Sequence, residues 1–317
     1  MQPTRRSILF GSVFSRCAPA ADSTIDFDTR LLTRILKWAQ TDAAGDPPEW
    51  RQELPYRLAR EQARWNGQPN PDAEVERNLL QVRSGALSLA GTAAFAEKIL
   101  AGSEQFLSSA LPHLRAYLPA STPIKGAVAL AAFLPNDAFS MNYTIVVRVT
   151  DRFWANREDR LFNLQVHEPF HNGYIQHQRG ASPDDAADSP ALFESLLWML
   201  QNEGLATYVA YRARTEGLTL NDYRLLESAA ETARRFALLR SLMCHLRDAS
   251  PSALPALRER LLQESNTQRT SYIAGAAIAR RIEDTAGRAT LIHTVETGPR
   301  AFLDTYRETS PPTDLAL

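Results

Sequence analysis

Two histidines four residues apart stand in the string His167-Glu168-Pro169-Phe170-His171. For both imidazoles to serve one purpose the string must be helical, because a helix returns residues i and i+4 to the same face. On such a face two ring nitrogens can be aimed at one tetrahedral metal ion. Glu168 then falls about 100° round the helix, a carboxylate beside an open coordination position. Pro169 opposes this demand: it has no N–H for the carbonyl of Gln165 and biases Glu168 away from helical angles. The expectation is a helix that begins near residues 164–166, with the proline in its first turn, or one kinked there.

Two imidazoles leave such a metal short of a third protein ligand. Glu203 is the candidate, at the polar edge of the strongly apolar stretch 191–211, within Asn202-Glu203-Gly204-Leu205-Ala206-Thr207-Tyr208. Gly204 and Ala206 would let two helices approach closely, and Thr207, one turn on, could hydrogen-bond a ligand. Glu194 competes for the same role. Asn172 and Tyr174, just past the motif, read as residues that orient the ligand helix. His113, His177, His245 and His293 have no partner at ligand spacing and read as structural or surface residues.

Taken together, the two strings resemble the gluzincin clan of zinc peptidases, in which a His-Glu-x-x-His helix is completed by a Glu from the next long helix. Residues 202–206 are similar to the Asn-Glu-Gly-Phe-Ala segment of the clan's aminopeptidase branch. A third stretch, Tyr272-Ile273-Ala274-Gly275-Ala276 followed by Ile282-Glu283, Gly287-Arg288, Gly298-Pro299, Phe302 and Tyr306, resembles the C-terminal helices of bacterial zinc-dependent peptidases whose substrates are mostly unassigned. The resemblance runs over roughly residues 140–310. It implies one zinc per chain on His167, His171 and Glu203, and a peptide or protein substrate. It also implies Glu168 as the general base that deprotonates a metal-activated water and protonates the leaving amine. Tyr272 matches in position the tyrosine that donates to the oxyanion.

The pattern departs from that branch in two places. The branch sets its Glu closer to the second His, so residues 182–189, with three Asp and Pro183, must loop out between the ligand helices. The branch's Gly-x-Met-Glu-Asn segment has no counterpart between residues 122 and 159, which leaves exopeptidase and endopeptidase open. In zincins an edge strand upstream of the metal helix holds substrate as one more strand, a role open to residues 145–148. The same residues read equally as interior strand.

The rest of the chain bounds the fold. With 317 residues, 44% of them hydrophobic, it can bury one large core or two small ones. Lys and Arg number 35 against 36 acidic residues, so no basic field draws it to nucleic acid or anionic lipid. Cys17 and Cys244 could form at most one bridge. Residues 1–20 resemble a twin-arginine export signal, with Arg5-Arg6, a short apolar run, Arg16 and Ala18-Pro19-Ala20. This implies a periplasmic or secreted protein, cytoplasmic if the signal is not functional. No apolar run is long enough to span a bilayer.

From Asp26 to about Tyr117 the sequence is helical in period, a helical N-terminal region over 21–118, with stripes at Leu31, Leu32, Ile35, Leu36, Trp38 and at Phe95, Ile99, Phe106, Leu107, Leu111, and breaks at 45–48 and 67–71. Residues 128–133 and 143–149 are β-branched, apolar and bounded like strands. Helices follow at about 160–178, 190–216, 221–247, 252–266, 269–285 and 298–308. The expected fold is α+β, mainly α and zincin-like, with a small sheet leading into the metal helix and a catalytic region over 119–317. Two alternatives stay open: a pseudoenzyme that keeps zinc as a staple, and a helical binding or scaffold protein. In the latter, Glu203 would need an Arg or Lys partner.

Overall fold

A computed structural model describes residues 6–9, 24–39, 48–65, 70, 72–73, 76–77, 80–81, 84–85, 88–131, 138–149, 158–178, 180, 183–247 and 249–310. These residues are mainly helical with one small sheet, an α+β fold. The chain forms two compact units, residues 1–111 with 123–172, and residues 112–122 with 173–317. Of the export-signal segment only residues 6–9 are described; the rest, and most of the two Gly/Pro breaks, lie outside the described residues. No described helix is long and apolar enough to cross a membrane.

The first unit holds the sheet: β1 (Arg6–Leu9), β2 (Thr24–Asp28), β3 (Lys125–Ala131), β4 (Ala138–Met141) and β5 (Thr144–Arg148). Their order is β1-β2-β3-β5-β4, with β2, β3 and β5 parallel and β1 and β4 antiparallel at the two edges. The two expected strands are present as β3 and β5. Helix was expected from residue 26, but β2 occupies this segment. Ile25 and Phe27 are buried while Asp26 between them is not, a period of two that only pairing with the distant β3 makes decisive. Of the two readings open for residues 145–148 the interior one holds, because β5 is bonded to β3 on one side and β4 on the other. β4 and β5 are joined by Asn142 and Tyr143, both at positive φ (49° and 59°), the backbone of a tight two-residue hairpin.

Helix α1 (Arg30–Ala39) buries Leu31, Leu32, Ile35 and Trp38 as its stripe predicts and packs against β3. Trp38 meets Trp50 edge-on, ring centroids 5.0 Å apart. Helix α2 (Leu54–Trp65) packs on β4 and β5. The Ser88 hydroxyl caps α3 (Leu89–Ala101) by accepting from the Gly91 N–H. Helix α4 is Ser103–Arg115.

Helix α5 (Glu158–Tyr174) carries the paired histidines, and it corrects the expectation of a start near 164–166: the helix begins at Glu158 and keeps Pro169 inside it. An interior proline costs about 3 kcal/mol. Against that, α5 buries Leu161, Val166, Phe170 and Tyr174 almost completely, each worth roughly 1.5–3 kcal/mol. Burial wins. Pro169 itself lines a small apolar cavity with Leu161, Leu164 and Gln165 of α5 and Phe27, Val128 and Ile145 of the sheet. The register sets those three sheet residues side by side.

The second unit consists of α6 (Ser189–Ala213), α7 (Asn221–Glu227), α8 (Ala229–Arg247), α9 (Leu254–Asn266), α10 (Thr270–Ala286), α11 (Arg288–Thr297) and α12 (Pro299–Thr309). Helix α6 starts where the Asp188 carboxylate accepts from the Ala191 N–H, with Pro190 in the first turn. The single helix expected over 221–247 is broken at Ser228, which turns to an extended ψ of 112°. Helix α11, between Gly287 at φ 86° and Gly298 at φ 103°, was not expected: no helix was assigned between residues 285 and 298, where the two glycines serve as junctions. α6 and α10 share the most extensive helix contact in this unit.

Candidate metal centre

The Nε2 atoms of His167 and His171 on α5 face each other at 3.2 Å, their rings crossed at 82°. Two imidazoles on a tetrahedral zinc, with Zn–N near 2.0–2.1 Å, stand about 3.3 Å apart. The pair therefore has the spacing that one metal ion requires. His171 and Glu168 are buried, and His167 is half-buried.

Past the motif, the helix is held by the two residues expected to orient it. Asn172 accepts a 2.6 Å hydrogen bond from the Ser140 hydroxyl on β4. It also lies so close to Gly126 that a Cβ there would stand 2.6 Å from its Nδ2 and 2.5 Å from the Tyr143 carbonyl oxygen. Only glycine leaves room at that position. Tyr174 donates a 2.8 Å bond to Gln201 of α6, whose amide donates 2.7 Å to the Thr294 carbonyl. Burial pushes the Tyr174 phenol well above its ordinary range, so it stays a donor. Gln201 is fully buried two residues before Glu203. Nothing in the spacing of the sequence singled it out.

Helix α6 presents Glu203 between buried Asn202 and buried Gly204. Gly204 lies against Gly275 of α10: a Cβ on Gly275 would stand 2.7 Å from the Gly204 Cα. The expected close helix approach at Gly204 is present. Thr207, one turn past Glu203, is 2% exposed, and its hydroxyl has no hydrogen-bond partner among the described residues. Glu194, the competing ligand, is exposed and paired with Arg300. Among the described residues, His167, His171 and Glu203 are a group that could hold a metal ion. A two-His, one-Glu set with an open fourth position is a donor set of catalytic zinc sites.

Tyr272 sits in the first turn of α10, and the Arg269 guanidinium covers its ring with Cζ 3.2 Å from the centroid. No sequence motif points to Arg269. Its Nε and Nη2 both bond the Asp222 carboxylate, at 3.1 and 2.7 Å for the shortest contacts. Burial alone would lower its pKa, but Tyr272, Asp222 and Glu203 around it raise it on balance, so the charge is permanent.

Three of the other four histidines make local contacts. His177 pairs with the Thr122 hydroxyl at 2.7 Å, His245 sits on the Ser241 carbonyl, and exposed His293 is 3.3 Å from Glu296. Elsewhere in the second unit, Glu283 accepts from Tyr208 (2.7 Å), Tyr117 (3.0 Å) and Arg288 (2.8 Å). Burial works to raise the Glu283 pKa, but the bonds from Tyr208, Arg288 and Tyr117 outweigh it and hold the carboxyl below its ordinary value. The Tyr208 phenol is pushed far up, by burial first and by Glu283 second.

No curated protein and no solved structure matches the chain. One family model does, over residues 69–310, and it extends into the helical region in which the sequence showed no resemblance. That span is well over half of the chain, so the protein belongs to the family described as "Putative zinc dependent peptidase (DUF5700)".

Proposed function

We propose that the protein is a zinc-dependent peptidase in which His167, His171 and Glu203 hold the metal, Glu168 is the general base and Tyr272 the oxyanion donor. The observation that carries this reading is the pair of imidazoles on α5 aimed at one point, with Glu203 the third member of a group that could hold a metal ion. Its fit to zinc rests on the 3.2 Å separation of the imidazole nitrogens and on the buried Thr207 hydroxyl one turn from Glu203, which has no partner among the described residues. A zinc ion held there would supply Lewis acidity to a water and to the carbonyl of a peptide bond.

The protein's own groups do the rest. Glu168, neighbour of His167 on α5, takes the proton from the attacking water on its carboxylate and returns it to the departing amine. Glu168 is buried beside His167, on the helix that carries both imidazoles. The Tyr272 hydroxyl donates to the oxygen that gains charge as the carbonyl becomes tetrahedral. Asn172 and Tyr174 keep α5 from turning, so that its two imidazoles stay aimed at one point.

The scaffold alternative requires a cation for Glu203, and Arg269 acts on it electrostatically. Both Nε and Nη2 of that guanidinium are already bonded to Asp222. The test is the zinc content of untagged protein by mass spectrometry, beside His171→Ala, followed by cleavage of fluorescein-labelled casein by wild type and Glu168→Gln. About one zinc per chain, lost in His171→Ala, with casein cleavage lost in Glu168→Gln, is the expected result. Zinc without cleavage would leave the pseudoenzyme; no zinc in either protein, even after zinc is added back, would leave the scaffold.

A further inference from the structure

The turn that leads into α10 is built around one arginine. Arg269 occupies the left-handed region, φ 56° and ψ 30°, and is the residue from which the helix starts, its carbonyl accepting from the Ile273 N–H at 3.0 Å. Glycine or asparagine adopts that conformation more readily than a long side chain does. The backbone on either side is fixed. The carbonyl of Gln268 accepts a 2.6 Å bond from Nε of Arg235, itself buried on α8, and the Gln268 side chain accepts from Arg234 at 3.0 Å. Thr267 closes α9 with a 2.9 Å bond to the Gln263 carbonyl. A segment held from both sides can sustain an unfavourable residue conformation.

What the strained conformation achieves is visible in where the side chain goes. The Arg269 guanidinium lies over the ring of Tyr272, Cζ 3.2 Å from its centroid, and is gripped in its own plane by the Asp222 carboxylate at the start of α7. A planar cation clamped along one edge and stacked by its face leaves the tyrosine ring one orientation on that side. The neighbouring contact fixes the height of α10, since Gly275, one turn beyond Tyr272, lies against Gly204.

We propose that Arg269, clamped by Asp222, is a positioning residue for Tyr272: it holds the plane of the phenol ring and so the direction in which its hydroxyl points. The proposal rests on Tyr272 being the oxyanion donor of the reading above. Arg269 does not touch the reacting atoms and is not a ligand; its charge also acts on Glu203, and Arg269→Lys, which keeps the charge but not the planar stack, separates that effect from the hold on Tyr272. Lysine does not replace it, because an ammonium group cannot stack flat on the ring while bonding Asp222 through two nitrogens.

The test is a double-mutant cycle on the zinc-loaded protein with fluorescein-labelled casein, using Arg269→Ala, Arg269→Lys and Tyr272→Phe. Arg269→Ala and Arg269→Lys are expected to lower kcat about 10–100-fold, as misplacement of a charge-stabilising donor does, with KM and zinc content unchanged. In the Tyr272→Phe background the same substitutions are expected to change kcat by less than about twofold. An undiminished effect of Arg269→Ala in that background would overturn the proposal. A readout free of substrate runs beside it: 3-fluorotyrosine labelling with ¹⁹F detection, the Tyr272 resonance assigned by its loss in Tyr272→Phe. That resonance is expected to shift and broaden in Arg269→Ala and Arg269→Lys. An unmoved resonance overturns the role of Arg269 whether or not the protein cuts casein, and a wild type that leaves casein intact overturns only the peptidase reading.

Discussion

Gly204 and Gly275 touch backbone to backbone. A Cβ on Gly204 would stand 2.9 Å from the amide nitrogen of Ala276, and one on Gly275 would be driven into the carbonyl oxygen of Leu200. Helices α6 and α10 are therefore as close as bare backbone allows. Glu203 adjoins this contact on one helix and Tyr272 lies one turn before it on the other. The separation of the proposed third ligand from the proposed oxyanion donor is thus set by two missing methyl groups.

Gly275→Ala, with backbone rather than a flexible side chain in its way, is expected to destabilise the protein by about 1–3 kcal/mol, the usual cost of overpacking. Zinc affinity should fall with it, because the helix that carries Glu203 must shift. Urea unfolding and a zinc titration of the same variant measure both. A variant as stable as wild type would show that the helices separate freely here.

Metal should act as a ligand of the folded state only. At free zinc one hundred times its dissociation constant, linkage adds about 2.7 kcal/mol, read as a rise in Tm. In His171→Ala and Glu203→Gln the rise should shrink or vanish, whereas Glu194→Gln, on the exposed partner of Arg300, should keep all of it. A full rise in Glu203→Gln would remove Glu203 from the ligand set.

Pro169→Ala restores an N–H opposite the Gln165 carbonyl inside α5. The helix should gain up to about 3 kcal/mol and lose part of it where the ring leaves the apolar cavity wall, for a net gain of roughly 1–2 kcal/mol. Thermal melting of the metal-free protein decides the sign. A lower Tm would mean that the proline ring contributes more by packing than its missing bond costs.

The depressed Glu283 carboxyl links stability to pH. Its stabilisation is fully present above the ordinary glutamate value of about 4.5 and is lost as pH falls through the lower folded value. Wild type should therefore exceed Glu283→Gln in Tm by a constant margin near pH 7, and the margin should narrow as pH drops below that ordinary value. Glu283→Ala, which strips the acceptor from Tyr117, Tyr208 and Arg288 at once, should cost on the order of 3 kcal/mol. A margin independent of pH would mean that the carboxyl titrates alike in both states.

Local chemistry was legible from residues alone. The spacing of His167 and His171 required a helix, and α5 supplies it; the apolar stripe of residues 31–38 required another, and α1 buries it. Pro169 misled because a single local penalty was weighed without the burial along the rest of α5. β2 was missed because five residues carry too little periodicity, and their partner β3 lies a hundred residues away. Arg269 was out of reach for a related reason: no spacing rule announces that an arginine will take a left-handed conformation and cover a tyrosine.

The sequence by itself determined what repeats within a few residues: the face shared by two imidazoles, the carboxylate beside them, and the apolar edge on which Glu203 sits. Tertiary structure decided what depends on distant partners: that β5 is interior and β4 the edge, that Glu194 turns to Arg300, and that Asp222 and Arg269 frame Tyr272. The division follows from the physics. Helical period and capping are fixed by bonds across three or four residues, whereas pairing, close backbone approach and the aim of a long side chain are settled only when remote segments compete for the same space.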